Sequence, residues 1–142
     1  RYRRRLAGPV IDRIDIQIEV PRVRRIDLER PVAFLTSDSV RHEIEQARAR
    51  QGERFRRKGF TNSAMGPRHI ESMARLAPAA RKLLLDAVDQ MALSARAYHK
   101  LIRVSRTIAD LDGADSVEEG HVLEALQYRA LDSQPQAVLS YG

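Results

Sequence analysis

Apolar and polar residues alternate strictly near the start of the chain. Ile14, Ile16, Ile18 and Val20 are separated by polar side chains, and a proline follows. A period of two is typical of a β-strand with one buried face, and proline ends such a strand because it donates no backbone hydrogen bond. The pattern predicts one strand over residues 14–20. Because a lone strand leaves its backbone unpaired and no hairpin partner is visible nearby, we expect the rest of its sheet to lie upstream of this chain.

Beyond a proline-containing connector, the apolar spacing changes to the period of three to four residues that is typical of helices. Turn residues and caps divide this part of the sequence into five helices. We predict a helix with body 40–59, capped by Ser37 or Ser39 and closed by Gly59; a short helix through Ala74 that begins at Gly66-Pro67; one that begins at Pro78; one capped by Ser94 and ended by Gly113; and a last one from Ser116, where Ser116 and Glu119 match a capping box.

The fourth predicted helix has two distinct faces. One face carries apolar and small side chains, and it predicts contact with the rest of a bundle. The opposite face is basic, and we expect its side chains to be exposed: Arg96, Lys100, Arg103 and Arg106. The residues alone therefore indicate one strand followed by about five helices.

Composition narrows the class of protein. The 142 residues are 43% hydrophobic and 31% charged, which is typical of a folded globular chain of ordinary domain size. Cysteine is absent, so disulfides, thiol nucleophiles and thiolate metal sites are excluded. No apolar stretch approaches the roughly 20 residues of a membrane span. The chain begins with an arginine, and we expect it to be a piece of a longer protein.

The net charge of +6 is concentrated at the beginning of the chain. The first 60 residues hold 16 of the 25 basic residues but only 9 of the 19 acidic ones. This excess predicts either a polyanionic partner or a solvated arginine-rich face, and charge alone does not separate the two. Within the first predicted helix, the residues that could contact nucleic acid are Arg41, Arg48, Arg50, Arg54, Arg56, Arg57 and Lys58.

The usual catalytic motifs are missing. The chain has no P-loop, no HExxH and no GxSxG, and its four histidines do not lie at helical spacing from one another, so no metal site is predicted. Two arginines deserve separate treatment: Arg13 in GPVIDRID, and Arg96 in the first turn of a capped helix. An arginine fork can stabilise charge on a transferred phosphoryl group. From the residues alone, an ordinary surface arginine is the more common case, with Arg13 near Asp12 or Asp15 and Arg96 paired with Asp86 or Asp89.

Four stretches, in order, resemble the C-terminal part of the magnesium-chelatase-like AAA+ ATPases, and in particular the ComM/YifB competence-related group. They are RLAGPVIDRIDIQIEVP, SDSVRHEIEQARARQGERF, LSARAYHKLIRVSRTIADLDG and HVLEALQYR. The resemblance implies a mainly α fold: a helical bundle, the AAA+ C-terminal lid, preceded by one β-strand left from the core sheet. Residues 1–30 would be the end of the core plus a connector, 31–132 the lid, and 133–142 a flexible tail.

The resemblance also implies roles for the two arginines. Arg13 corresponds to an arginine finger that reaches the ATP of a neighbouring subunit, and Arg96 to the sensor-2 arginine that contacts the γ-phosphate. The longer protein would use ATP and Mg²⁺, form a homo-oligomeric, hexameric ring, and act on DNA. It would be cytoplasmic and have no membrane partner. This chain by itself, lacking a P-loop, would bind no cofactor and hydrolyse no ATP.

Two alternatives remain open at this point. One is a stand-alone basic helical module that binds nucleic acid or protein. The other is the lid of a true magnesium chelatase subunit, in which the motor drives metal insertion into a porphyrin. A P-loop strand and helix in the sequence upstream would favour a motor over the stand-alone module.

Overall fold

A computed structural model describes residues 14–18, 20, 22 and 36–129. Within these residues the fold is helical: five helices and one short 3₁₀ turn, with no strand. The helices are α1 (Ser37–Phe55), α2 (Pro67–Met73), α3 (Pro78–Gln90), α4 (Ala95–Leu111) and α5 (Glu119–Gln127), and the 3₁₀ turn is Asn62–Ala64. The five predicted helices are confirmed. The ends of the chain, including Arg13 and the predicted tail, lie outside the described residues.

Helix α4 is the centre of the bundle. It contacts α1, α2, α5 and the 3₁₀ turn, while α3 packs on α5. Its inward residues Leu101 and Ile102 are buried together with Leu84 of α3 and Val122 of α5. The apolar face predicted for α4 is therefore confirmed, and the helix forms a rigid support for the side chains along its length.

A short parallel bridge joins the loops that precede α3 and α5. Val117 donates its N–H to the Arg75 carbonyl at 2.9 Å, and its own carbonyl accepts from Ala77 at 3.0 Å. Val117 is fully buried. The bridge fixes the start of α5 against the start of α3.

Three predicted helix ends are corrected. Thr36, not Ser37 or Ser39, caps α1, since its hydroxyl accepts from Ser39 N–H at 3.2 Å. The same helix ends at Phe55 rather than near Gly59, because Arg56 adopts a left-handed backbone conformation with φ 50°. Helix α5 begins after Glu118 and not at Ser116.

The predicted strand is not confirmed. Residues 14–18 form no strand, and one backbone hydrogen bond joins them to the bundle, from Gln17 N–H to the Tyr128 carbonyl at 2.8 Å. Gln17 is the buried residue of this segment, whereas Ile14, Ile16 and Ile18 are exposed. The alternation is present, but its apolar face is only partly covered: Ile16 and Ile18 border a cavity with Val104 and Ile108 of α4 and remain more than half exposed.

Candidate functional site

Arg96 occupies the second position of α4. Ser94 caps this helix as predicted, since its hydroxyl accepts from Ala97 N–H at 3.2 Å. Arg96 is exposed, and the next residue, Ala97, is buried. Among the residues that the structure describes, none forms a hydrogen bond or ion pair with the Arg96 side chain, so the proposed pairing with Asp86 or Asp89 is absent. The guanidinium is therefore available to a group outside this bundle.

The surroundings of Arg96 favour an anion. The first backbone N–H groups of a helix have no intrahelical partners, and the helix dipole places partial positive charge there. Helix α4 has 17 residues and is held by buried side chains one turn further on, including Leu101 at 1% exposure. Its first turn is thus a fixed cationic edge rather than a frayed end.

Lys100 lies one turn after Arg96 and is buried, which corrects the prediction that it is exposed. Its ammonium group forms an ion pair with Asp15 at 3.2 Å. Asp15 belongs to the segment at residues 14–18, which also donates the Gln17 backbone hydrogen bond to the end of α5. The ion pair offsets part of the loss of hydration of this buried ammonium, and it favours the position of the segment against α4.

Arg106 is also buried, against expectation, and it belongs to a charged network around Asp110. The Asp110 carboxylate accepts from Arg106 Nε at 3.2 Å, from Asn62 Nδ2 at 2.8 Å and from Arg54. Arg106 also donates to the carbonyls of Ala114 and Asp115. Burial lowers the pKa of Arg106 from its ordinary value, and the Asp110 charge opposes that shift.

This network connects α1, the 3₁₀ turn, α4 and the loop before α5. It was missed at the sequence level, although Arg106 and Asp110 stand four residues apart on one helix, a spacing at which opposite charges meet. Their burial could not be read from the spacing, because it depends on where α1 crosses α4.

The basic residues of the first helix divide into engaged and free groups. Arg54 belongs to the Asp110 network, and Arg50 donates to the Gly113 carbonyl at 3.0 Å. Arg41 approaches Asp38 at 3.6 Å on the exposed part of α1. The remaining candidates are exposed in the second half of α1 and in the turn after it: Arg48, Arg56, Arg57 and Lys58. The Arg57 guanidinium lies over the Phe60 ring, 5.6 Å from its centre.

The histidines have local roles. His69 and His121 accept from backbone N–H groups at the beginnings of α2 and α5, and His121 also pairs with Asp112 at 3.2 Å. His42 contacts Gln46. Within the described ranges there is no cluster of three potential metal ligands, and none of the helices is long and apolar enough to cross a bilayer.

The comparisons with known proteins define the class. Residues 35–129 match the family described as magnesium chelatase, subunit ChlI C-terminal, and the chain belongs to this magnesium-chelatase-like family as part of its ComM/YifB branch. The match begins one residue before the Thr36 cap of α1 and ends just after α5, so it covers the whole bundle.

Individual relatives support the same placement. The chain is 39% identical to competence protein ComM of Haemophilus influenzae over 132 residues, which is 92% of this chain and 25% of that protein. It is 34% identical to the YifB protein of Escherichia coli over 133 residues, 93% of this chain and 26% of that protein. A Mycobacterium bovis protein is 32% identical over 130 residues, 91% of this chain and 26% of that protein. The chain thus spans about a quarter of the length of these relatives.

Proposed function

We propose that this chain is the C-terminal lid of a longer AAA+ ATPase that works as a homo-oligomeric ring, and that it supplies two arginines to the hydrolysis of Mg²⁺-bound ATP. Arg96 contacts the γ-phosphate as the sensor-2 residue. Arg13 reaches the ATP of the neighbouring subunit as the arginine finger. The observation that carries the proposal is the placement of Arg96, exposed and without a partner among the described residues, in the first turn of a buried and capped helix.

The geometry at Arg96 suits a phosphate group. A guanidinium presents several donors in a planar fork and remains charged at every physiological pH. The free N–H groups of the first turn add to the positive potential at the same place. Because α4 is anchored through the core, binding of a phosphate at Arg96 would move the whole bundle as a unit. The position of the lid could therefore change with the presence or absence of the γ-phosphate.

The proposal for Arg13 depends on the family and on the sequence GPVIDRID, since this residue lies outside the described part of the chain. A finger acts mainly on the transition state of phosphoryl transfer, where it is worth about 10³–10⁵ in rate. Arg13→Ala in the longer protein should therefore lower kcat by about 10³-fold while ATP binding is retained. An unchanged kcat would show that Arg13 is an ordinary surface charge.

Action in trans has its own test. Subunits with Arg13→Ala keep an intact P-loop, and subunits without the P-loop lysine keep an intact finger. If the finger crosses the subunit boundary, mixing these two inactive proteins should restore part of the ATPase activity. Mixed rings with no activity above the separate proteins would contradict this arrangement.

Arg96 can be tested against a closely matched control. Arg68 is also an exposed arginine at the second position of its helix, and no ion pair joins it to another described residue. In the longer protein, Arg96→Ala should lower ATP turnover by about 10²-fold, the usual loss of one donor to a reacting group, and Arg68→Ala should leave it unchanged. Both changes should leave the melting temperature of this chain nearly unaltered, because both side chains are exposed.

Equal turnover in the Arg96→Ala and wild-type proteins would refute the sensor role. A large loss of stability with normal turnover would instead make Arg96 a structural residue. The chain by itself should show no ATP hydrolysis above the buffer blank, since it contains no P-loop.

A second activity, contact with DNA, is favoured by the free basic group at the end of α1. Arg48, Arg56, Arg57 and Lys58 border a groove of about 830 Å³ that also contains Phe60. Arginines interleaved with an aromatic ring suit a phosphate backbone and an unstacked base. The relation to a protein named for competence agrees with a motor that acts on DNA.

Salt dependence tests this surface. Four phosphate contacts predict a slope of about −3.6 in log K against log salt concentration for duplex DNA, and Arg56→Ala should reduce its magnitude by about 1. Arg41→Ala is the control, because Arg41 is near Asp38 at the opposite end of α1. A slope that Arg56→Ala does not change would remove this surface from DNA binding.

A further inference from the structure

The segment at residues 14–18 makes two polar contacts with the bundle. Asp15 pairs with Lys100 on α4, and Gln17 donates its backbone N–H to the Tyr128 carbonyl at the end of α5. Ile14 and Ile16 are about half exposed, at 46% and 53%, so burial of apolar surface contributes less here than it could. The ion pair and the backbone bond therefore help to hold this segment in place, beside Ile16 and Ile18, which border a cavity against α4.

Lys100 is well suited to hold the segment in one position. Its side chain is 7% exposed, whereas that of Asp15 is 59% exposed, so the lysine is part of the bundle and the carboxylate comes to it. Removing a carboxylate from a buried ammonium costs far more than breaking an exposed pair. Movement of the segment away from α4 would therefore break this ion pair.

Each of the two arginines of the proposed function lies close in sequence to one residue of this ion pair. Arg96 precedes Lys100 by four residues on one helix, which is about 6 Å of axial rise. Arg13 precedes Asp15 by two residues, which limits the separation of their α-carbons to about 7 Å. Each of the two arginines is thus only a few residues along the chain from one partner of the Lys100–Asp15 ion pair.

We infer that Lys100 is a positioning residue: through its ion pair with Asp15 it fixes the segment that carries Arg13 to the helix that carries Arg96. The inference rests on the proposed function and adds a physical link between the two arginines. Nucleotide contact at Arg96 in one subunit would then set the placement of Arg13 towards the next subunit, because α4 and the segment move as one body.

The test uses the longer protein with its ATPase core. Lys100→Met keeps the length of the side chain and removes its charge, and Asp15→Asn removes the other charge at an exposed position. Each should lower kcat for ATP about 10- to 100-fold, the usual effect of small misplacement of a reacting group, with a smaller change in KM. Lys82→Met, at an exposed lysine of α3, is the control and should retain full turnover.

Two further variants separate positioning from general stability. If the pair acts as a unit, the double variant Lys100→Met with Asp15→Asn should be no slower than either single variant, and exchanging the charges, Lys100→Asp with Asp15→Lys, should recover part of kcat. If Lys100 acts through the Arg13 segment, adding Lys100→Met to Arg13→Ala should cause little further loss.

The outcomes are distinguishable. Full kcat in both Lys100→Met and Asp15→Asn, in a protein where Arg13→Ala is strongly impaired, would overturn the inference and leave the proposed function intact. Multiplicative losses of Lys100→Met and Arg13→Ala would also overturn it. Normal turnover in both Arg13→Ala and Arg96→Ala would overturn the proposed function, and the inference with it.

Discussion

Neutralising Asp110 should cause a large loss of stability. Its carboxylate is fully buried and accepts hydrogen bonds from Arg54, Arg106 and Asn62. Asp110→Asn preserves the shape but leaves two neighbouring guanidinium groups, one of them also fully buried, without their counter-ion. Breaking a buried pair in this way costs about 3–5 kcal/mol, whereas a whole domain is stable by about 5–15 kcal/mol. The variant should therefore be folded only marginally.

Urea unfolding followed by circular dichroism measures this loss. With a slope of about 2 kcal/mol/M, a change of this size lowers the unfolding midpoint by about 2 M. The effect should persist at high salt, because the charges are buried and poorly screened. Asp86→Asn is the matched control, at an exposed aspartate that pairs with no other described residue, and it should change stability by at most about 0.5 kcal/mol.

A loss below about 1 kcal/mol in Asp110→Asn would refute the idea that this carboxylate holds the network together. If that variant does not fold at all, Asn62→Ala provides a graded version of the test. It removes the hydrogen bond to Asp110, at 2.8 Å, together with those to Arg54 and Thr107, and it retains both arginines. At about 1 kcal/mol for each bond it should cost about 2–4 kcal/mol, and no loss at all would contradict the same reasoning.

Three other changes have clear expectations. Ser94→Ala should lower the free energy of unfolding by about 1 kcal/mol through loss of the α4 cap, and an unchanged midpoint in urea would contradict the capping role. Gly113→Ala should destabilise the protein by about 1 kcal/mol or more, because φ is +74° and an added Cβ would lie 3.0 Å from a guanidinium nitrogen of Arg50. Gly120→Ala, in α5 with open space around it, should be neutral or stabilise the protein by up to about 1 kcal/mol. The hydrogen bond to Glu124, together with its charge, raises the pKa of Tyr128 above 10, so ultraviolet titration of Glu124→Gln should show that phenol ionising at lower pH. Since the pKa of Tyr128 is higher in the folded state than in the unfolded state, this contact stabilises the protein below pH 10, and its contribution is lost as the pH rises through the raised pKa. A titration curve that Glu124→Gln does not alter would contradict this assignment.

Local sequence signals located most of the helices. Ser94 caps α4, and Pro67 and Pro78 begin α2 and α3. Each acts on the backbone next to it, so its effect can be predicted from the sequence without knowledge of the fold. The end of α1 was placed too late because Gly59 is the obvious residue for a left-handed turn, yet Arg56 adopts that conformation first. Such an exception depends on contacts of the folded chain, and no local rule reveals it.

The candidate site was predictable only in part. Arg96 could be singled out from its place in a capped helix and from the family resemblance, and the structure shows that it is exposed. The placement of Arg13 stays a prediction. Lys100 and Arg106 were assigned to an outer basic face, since they repeat at helical spacing with Arg96 and Arg103. Lys100 pairs with Asp15, which is distant in the sequence, whereas Arg106 pairs with Asp110 on its own helix, and the burial of that pair depends on the packing of α1.

The sequence by itself determined the helical elements, the apolar face of α4 and membership of the family, because these follow from periodicity, caps and order along the chain. The tertiary structure alone decided which charges are buried. The sequence pattern of a positive side chain on a helix is the same whether that side chain contacts water or a carboxylate. Only the crossing of α1 over α4 and the path of residues 14–18 distinguish the two cases. The same reason applies to the isoleucines of residues 14–18: alternation defines two faces, but it cannot say how far the bundle covers each of them.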